Sequence, residues 1–283
     1  MKTPFPTHPT DEPVIENPWA SLRRYTDARI GLGRSGVSVP TKHLLEFQLA
    51  HAKAQDAVHG ALDVSALTEQ LKAQPWHPSE GPLPLHSKAA DRTRFLQHPD
   101  YGRLLDEAST SALHRFRGAN EDHYDLAIAL VDGLSAWAIE ANAIRFLDFL
   151  IPELVQGQEP WQISPLCIVE QGRVAIGDVI GELLQARCVL VLIGERPGLS
   201  SPDSMGLYMT WNPKRGRTDA QRNCISNIRA AGLSYQEASH RAFHLLNEAR
   251  IRKLSGVQLK DRTDNDVLDN NAEQRNFLTD DRD

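Results

Sequence analysis

One unbroken apolar run, Cys188–Ile193, limits the fold of this chain more than any other feature of its sequence. A strand with one face in water alternates apolar and polar side chains, and this run contains no charged or amide position. Both faces of the strand must therefore be covered, which is typical of a parallel sheet between two layers of helices. Apolar runs at Tyr124–Val131, Leu166–Val169 and Gly206–Trp211 predict further strands of that sheet.

Helical segments alternate with these strands. They are predicted at Ala136–Leu150, which Pro152 is expected to stop, at Ile176–Ala186, and from Ser234 to about Lys253. The last helix begins with a capping box, in which Ser234 accepts a hydrogen bond from the N–H three residues on while Glu237 reaches back. A last short strand is predicted at Val257–Leu259. Apolar strands separated by helices indicate an α/β domain with a largely parallel, Rossmann-like sheet flanked by helices.

The first part of the chain differs because its periodic patterns are mainly helical. In Thr41–Gly60, apolar side chains recur at three-and-four spacing, which predicts an amphipathic helix. The other predicted elements of this part are helices at Val64–Ala73, Asp91–Gln97 and Tyr101–Arg117, and a proline-rich loop at Pro75–Pro84. We therefore expect a flexible proline-rich extension over 1–18, a mainly helical region over 19–118, an α/β domain over 119–260, and a polar disordered tail over 261–283.

Bulk composition excludes several classes of protein. The net charge is −6 and the pI is near 6.0, whereas a nucleic-acid-binding domain usually carries an excess of basic residues. No run of about twenty apolar residues predicts a membrane span. Three cysteines without a Cys-x-x-Cys pair argue against a disulfide framework and favour a reducing compartment. We therefore expect no nucleic-acid partner and no membrane partner.

The loops that follow the predicted strands are the candidate sites, because ligands collect beyond the carboxyl ends of strands in α/β sheets. These loops are Asp132–Ser135, Gly194–Pro202 and the segment around Cys224. The second places Glu195 and Arg196 at the end of the most apolar strand, although a well-made loop with a salt bridge is an alternative. Cys224 as a nucleophile would need an activating histidine, and the nearest ones in sequence fall in the last helix. Packing or ligand contact is therefore favoured for Cys224, and no histidine spacing predicts a metal site.

Two glycine patterns have more than one interpretation. The segment Gly31–Gly36 matches G-x-G-x-x-G, but the residues before it, Arg24–Ile30, are polar and charged, and Pro40 delays the helix after it. A structural or interface turn is therefore favoured over a nicotinamide site. Gly177 and Gly181 share one face of a predicted helix, where they allow either close packing or the approach of a flat ligand.

Seven segments, taken in order, resemble the small subunit of ethanolamine ammonia-lyase. They are Arg29–Gly36, Leu44–Gln48 with Asp56–Val58, Val131–Ser135, Gly172–Asp178, Ile193–Pro202 and Cys224–Ile228. The resemblance runs from about residue 20 to residue 261 and is weakest between 60 and 100.

The resemblance implies an adenosylcobalamin-dependent carbon–nitrogen lyase that converts ethanolamine to acetaldehyde and ammonia by a radical mechanism. It implies that a large subunit holds the substrate and the catalytic residues, while this chain contacts the corrin. By motif, the implied cofactor contacts are Val174, Glu195 and Cys224, and this chain supplies no catalytic residue and no metal ligand. Since no Asp-x-His-x-x-Gly motif occurs, the cobalamin should keep its own benzimidazole on cobalt.

Two other functions remain open. One is a nicotinamide oxidoreductase that rests on Gly31, Gly33 and Gly36, and the other is a non-catalytic assembly protein that has lost cofactor contact. The family resemblance also implies a cytoplasmic enzyme, either free or enclosed in a bacterial microcompartment. In the second case, the extension over 1–18 would be the targeting segment.

Overall fold

The structure is a computed structural model that describes residues 17–77, 80–119, 123–156 and 159–259. The predicted polar tail, and all but the last two residues of the predicted extension, lie outside the described residues. The chain divides into two compact units. One comprises the described residues up to Ala54 together with Gly198–Ser200, and the other contains the remaining described residues from Gln55 onward.

The described helices and strands follow one another in an α/β order. The α-helices are α1 Thr41–His59, α2 Val64–Lys72, α3 Arg92–Gln97, α4 Glu107–Ala119, α5 Ala136–Gln156, α6 Ile176–Leu183 and α7 Tyr235–Arg252. The strands are β1 Leu83–His86, β2 Leu126–Val131, β3 Cys167–Glu170, β4 Cys188–Gly194, β5 Met205–Trp211 and β6 Asn223–Ile228.

The strands form one six-stranded mixed sheet in the order β1-β3-β2-β4-β5-β6. The pairs β1–β3, β3–β2 and β2–β4 are parallel, whereas β4–β5 and β5–β6 are antiparallel. The connections from β4 to β6 contain no α-helix, and a parallel return needs a longer crossover. The predicted α/β class is therefore confirmed and the predicted parallel sheet is confirmed in part, while the Rossmann-like description stays a prediction.

Strand β4 is covered on both faces, as its apolar run predicts. All of its residues are buried. Leu190 and Leu192 belong to the core cluster that includes α5 and α7, while Val189 and Val191 belong to the cluster that includes α6. The sheet therefore lies between two helical layers, and its carboxyl edge is the side on which the loops after β2, β3 and β4 meet.

Two sequence predictions on this part of the chain are wrong. Helix α5 does not stop before Pro152 but continues through it to Gln156. Ile151 and Leu154, on either side of this proline, are fully buried, so their packing compensates for the hydrogen bond that proline cannot donate. The segment Val257–Leu259 is a turn and not a strand, since the N–H of Leu259 donates to the carbonyl of Gly256 at 2.8 Å.

Both edge strands were missed by sequence reasoning. Strand β1 lies partly in the predicted proline-rich loop, and its Pro84 is compatible with an edge strand, which needs hydrogen bonds on one side only. Strand β6 was predicted as a loop because its sequence is largely polar and only Ile225 and Ile228 are buried. The predicted helix Tyr101–Arg117 begins too early, since a short 3-10 turn precedes α4. By contrast, α1, α2 and the Ser234 half of the predicted capping box are confirmed. The other half is wrong, because Glu237 Oε1 accepts a hydrogen bond from Arg241 Nε at 2.7 Å and does not reach back to the start of α7.

Candidate functional site

A groove of about 430 Å³ opens at the carboxyl edge of the parallel strands. It is lined by Gly133 and Leu134 after β2, by Arg173 and Val174 after β3, by Ile193–Arg196 at the end of β4, and by Tyr208 of β5. The chain passes from β2 to β3 on one side of β2 and then to β4 on its other side. Open α/β sheets bind ligands at such a reversal of strand order, so this groove is the candidate site.

Asp132 fixes the loop after β2 to the loop after β3. Its carboxylate is buried and accepts hydrogen bonds from the N–H groups of Gln171 at 2.9 Å and Gly172 at 3.0 Å. Arg92 approaches the same carboxylate at 3.5 Å. Burial raises the pKa of Asp132 to about 6, although these N–H groups and Arg92 act in the opposite direction. The network holds Arg173 and Val174, which come next in sequence, beside the end of β2.

The loop after β2 also touches the loop after β4. The N–H of Leu134 donates to the carbonyl of Gly194 at 2.9 Å. A Cβ at Gly133, whose φ is +56°, would lie 2.3 Å from that same carbonyl oxygen. Only glycine fits this close approach, which brings the two strand ends together on one side of the groove.

Glu195 is held with one carboxylate oxygen occupied and the other available. Its Oε2 accepts a hydrogen bond from Ser204 Oγ at 2.5 Å and another from the N–H of Asn227 at 3.2 Å. Its Oε1 accepts no hydrogen bond from the described part of the chain. Gly206 leaves room for this oxygen, because a Cβ at that position would lie only 2.9 Å from it. The carboxylate is therefore oriented by two donors while Oε1 can accept a hydrogen bond from a ligand.

Tyr208 and Cys224 face each other on neighbouring strands β5 and β6. Tyr208 lines the groove, whereas the exposed Cys224 does not, and its Sγ lies 3.3 Å from Ser226 Oγ. Burial is the main cause that raises the pKa of Tyr208. The charge and the hydrogen bond of the neighbouring Cys224 raise this pKa further, and the charge of Glu195 adds a smaller contribution in the same direction. Tyr208 therefore stays a neutral hydroxyl at physiological pH and connects Cys224 to the groove.

Val174 stands in the turn just before α6. It is half-buried and packs against the core cluster on the α6 side of the sheet, so that part of its side chain is left to line the groove. The two glycines of α6 serve packing, because a Cβ at Gly177 would lie 2.2 Å from Val191 and one at Gly181 would lie 2.5 Å from Pro213. Of the two interpretations of this pair, close packing is the one that the structure supports.

The structure thus brings two of the three predicted contacts, Val174 and Glu195, into one groove and places Cys224 on the strand beside it. Their role as cofactor contacts stays a prediction. Sequence reasoning missed Tyr208, although a tyrosine within an apolar strand was a usable signal. It also missed Ser204 and Asn227, which no local pattern marks, because their contacts with Glu195 arise only when β4, β5 and β6 pair.

The glycine-rich segment lies in the other compact unit and lacks the context of a dinucleotide site. Gly31, Gly33 and Gly36 all have positive φ, and the segment is preceded by a 3-10 helix, Pro18–Tyr25, and not by a buried strand. Within the described ranges, no group of three or more histidine, cysteine or acidic side chains is arranged to hold a metal ion. In the same ranges, no helix combines the length and apolar character that crossing a bilayer requires.

Comparison with known proteins matches nearly the whole described chain. The family model Ethanolamine ammonia-lyase light chain matches residues 16–260. The ethanolamine ammonia-lyase small subunit of Pseudomonas aeruginosa strain LESB58 is 52% identical over 264 residues, which cover 93% of this chain and 94% of the relative. The protein of the same name from Pseudomonas putida strain W619 is 51% identical over 269 residues, covering 94% of this chain and 97% of the relative. The chain therefore belongs to the ethanolamine ammonia-lyase light chain family.

Proposed function

We propose that this chain is the small subunit of an adenosylcobalamin-dependent ethanolamine ammonia-lyase, a carbon–nitrogen lyase that is active only with its large subunit. The reaction converts ethanolamine to acetaldehyde and ammonia. The observation that carries the proposal is the groove at the carboxyl edge of the sheet, where Val174 and Glu195 meet within the region that matches the family. Relatives named as small subunits cover almost the full length of the chain, which supports the same assignment.

The side chains of the groove suit a corrin with amide substituents. Val174 presents apolar surface to a flat macrocycle, and Glu195 Oε1 can accept a hydrogen bond from an amide N–H. Cys224 offers a small polarizable side chain on the adjoining strand. We assign no cobalt ligand and no catalytic residue to this chain, so that the cobalamin keeps its own benzimidazole. When bound, adenosylcobalamin supplies a 5′-deoxyadenosyl radical, and the large subunit holds the substrate.

The size of the groove supports a shared site. A volume of about 430 Å³ lies within the range of pockets for small ligands, and a corrin with its side chains is much larger. The groove can therefore cover only part of the cofactor, and a second protein surface must cover the rest. We assign that surface to the large subunit.

The compact unit up to Ala54 supports the presence of a partner. It exposes large apolar side chains, among them Trp19 at 66%, Tyr25 at 72% and Leu45 at 58% of their full accessible areas. Several exposed apolar side chains on one segment are typical of protein–protein contact surfaces. We propose that the large subunit covers this segment in a hetero-oligomer.

Reconstitution tests the assignment. The full chain is mixed with its large subunit and titrated with adenosylcobalamin, while the visible absorbance and the release of ammonia are followed. We expect turnover from the mixture and none from the small subunit alone. Glu195→Gln should raise the Kd for adenosylcobalamin about tenfold, or about 1.4 kcal/mol, because a hydrogen bond to a charged acceptor is weakened.

The matched control is Glu153→Gln, which makes the same change at an exposed position of α5 away from the groove. Its Kd should equal that of the wild type. Absence of turnover in the reconstituted mixture would contradict the proposed function. An unchanged cobalamin affinity after Glu195→Ala and Cys224→Ala together would favour a non-catalytic assembly protein instead.

We further propose that the enzyme acts in the cytoplasm, either free or within a bacterial microcompartment. The candidate targeting segment, residues 1–18, lies almost entirely outside the described residues. Deletion of this segment should change the location of a fluorescently labelled chain if it acts as a targeting segment. An unchanged location would remove that role from residues 1–18.

A further inference from the structure

A second cavity, about 450 Å³ in volume, shares Arg173 and Val174 with the groove. Three more arginines line it, Arg103, Arg217 and Arg222, and we call it the arginine pocket. Asp219 is the only acidic residue among the described residues that line it. The pocket therefore has an excess of positive charge at a position next to the candidate cofactor site.

Two of the four arginines are committed to the fold. Arg222 is buried, its Nη1 lies 2.7 Å from Asp178 Oδ1, and its Nη2 donates to the carbonyl of Arg217 at 2.9 Å. Arg217 in turn donates from Nε and Nη2 to the carbonyl of Asn212 at 3.1 and 2.8 Å. Even Asp219 is engaged, because its Oδ1 lies 3.3 Å from Arg222 Nε. These contacts form a rigid wall without neutralising the rest of the pocket.

The other two arginines, Arg173 and Arg103, have side-chain N–H groups without a hydrogen-bond partner among the described residues. The buried Nε of Arg173 has no hydrogen-bond partner within the described chain, and its Nη2 reaches the carbonyl of Phe95 only at 3.4 Å. The exposed guanidinium of Arg103 has no hydrogen bond or ion pair with any described residue, although the backbone N–H of this residue donates to the carbonyl of Asp100 at 3.2 Å. Burial lowers the pKa of Arg173, and the nearby charges of Arg92 and Arg103 lower it further, while the charge of Asp132 acts in the opposite direction. An anion would satisfy the buried donor and relieve this repulsion.

We propose that the arginine pocket binds a phosphate group. A guanidinium presents paired N–H donors that match two phosphate oxygens, and two such groups with free donors line the pocket. Two kinds of ligand carry such a phosphate group. It is either the nucleotide phosphodiester of cobalamin, in which case the inference rests on the proposed function, or the phosphate of a free ester.

The first experiment contains no cobalamin. The full chain is titrated with inorganic phosphate at low ionic strength by isothermal calorimetry. Arg103→Gln and Arg173→Gln should each weaken phosphate binding about tenfold, whereas Arg115→Gln, at an exposed position of α4 outside the pocket, should not. Arg103→Lys should restore part of the affinity because it keeps the charge but not the paired donors.

Arg173 stacks on Phe95 at 4.1 Å, so Arg173→Gln is checked by circular dichroism for a folding defect. The exposed Arg103 keeps the test informative even if that variant fails to fold. Absence of phosphate binding by the wild type, or an equal loss in Arg115→Gln, would overturn the proposal.

A second experiment separates the two sources. The reconstituted complex is titrated with adenosylcobalamin and with adenosylcobinamide, which lacks the nucleotide phosphate. A loss in Arg103→Gln that is confined to adenosylcobalamin assigns the pocket to the phosphate of the cofactor. Phosphate binding that depends on Arg103, together with equal corrin affinities in variant and wild type, assigns it to a free phosphate ester. If the complex binds neither corrin, the proposed function fails while the phosphate titration still stands.

Discussion

Helices α1 and α5 have nearly the same length but opposite relations to the core. Helix α1 has 19 residues, of which only Ala57 is buried, whereas α5 has 21 residues with ten buried. The difference is not a lack of apolar side chains, because α1 exposes Leu44, Leu45, Phe47 and Leu49. The apolar residues of α5 stabilise the core of this chain, whereas the exposed apolar residues of α1 are typical of a contact surface, which we have proposed that the large subunit covers.

The comparison shows that an amphipathic helix can direct its apolar face either to the core of its own chain or to another protein. Spacing of three and four predicts a helix equally well in both segments, but it does not say whether the apolar face meets the same chain or another one. Experiments that compare the two helices can therefore separate stability from assembly.

The largest effect on stability is expected in the compact unit that contains the sheet. Phe146→Ala removes a fully buried ring of α5 and should lower the free energy of unfolding by about 3–5 kcal/mol. Truncation to alanine in α1, Leu45→Ala, should alter it by less than about 0.5 kcal/mol, since that residue is 58% exposed. Urea denaturation of the isolated chain measures both values. Similar losses in the two variants would show that α1 is part of the core in solution.

Loss of a buried ion pair should have an effect of similar size. Arg222→Met should destabilise the chain by about 3–5 kcal/mol because Asp178, whose side chain is 2% exposed, is left as an unpaired charge. Arg241→Met breaks the more exposed pair with Glu237 on α7 and should lower the stability by only about 0.2–1 kcal/mol. Adding Asp178→Leu to Arg222→Met should recover much of the loss. The same urea titration tests all of these variants, and no recovery in the double variant would contradict the ion-pair argument.

The two regions should also differ in their dependence on pH. Burial raises the pKa of Asp132 from its ordinary 3.8 to about 6, so the folded chain holds this proton more tightly than the unfolded chain. The stabilisation is complete below pH 3.8 and is lost as the pH rises through 6, with an upper bound of about 3 kcal/mol. In α1, the hydrogen bond from His43 lowers the pKa of Glu46 below 4.5, so that its contribution is lost as the pH falls.

Unfolding midpoints measured from pH 3.5 to about 7 compare the wild type with Asp132→Asn. The stability of the wild type relative to this variant should decrease with rising pH. An increase over the same range would show that the hydrogen bonds to Asp132 outweigh its burial.

The smallest effect on free energy concerns association. Leu45→Ala, which barely changes the stability of the isolated chain, should weaken binding to the large subunit about tenfold, or about 1.4 kcal/mol. Analytical ultracentrifugation of the mixed subunits gives the affinity. The control is Val257→Ala, a similarly exposed apolar residue outside the unit that contains Leu45. An equal loss in both variants would remove the special role of α1.

Sequence reasoning worked where a pattern reflects local burial and failed where the decisive contact is distant. The apolar run of β4 predicted a strand covered on both faces because every one of its side chains is in the core. The polar strand β6 was not predicted, because its extended structure depends on its pairing with β5 and not on a pattern in its own sequence. The end of α5 was misplaced because the prediction could not include the packing around Pro152.

The candidate site divides in the same way. Its place at the strand ends follows from the α/β pattern, but the choice of Val174, Glu195 and Cys224 rested on the family resemblance. The donors that orient Glu195 lie nine and thirty-two residues away, and no spacing rule links such positions. The spare donors of Arg173 were equally hidden, because they depend on which acceptors the folded chain leaves within reach.

The antiparallel order of β4, β5 and β6 has a kinetic consequence. These strands are neighbours both in sequence and in the sheet, so their pairing closes only short loops, whereas β2 and β4 pair across the whole of α5, β3 and α6. Loop closure becomes entropically more costly with length, and local contacts form faster than distant ones. Glu195, Tyr208 and Cys224 therefore belong to a meander that can form early during folding. Val174 follows β3, so it joins them only when β2 has paired with both β3 and β4, and completion of the groove reports this late, long-range step of folding.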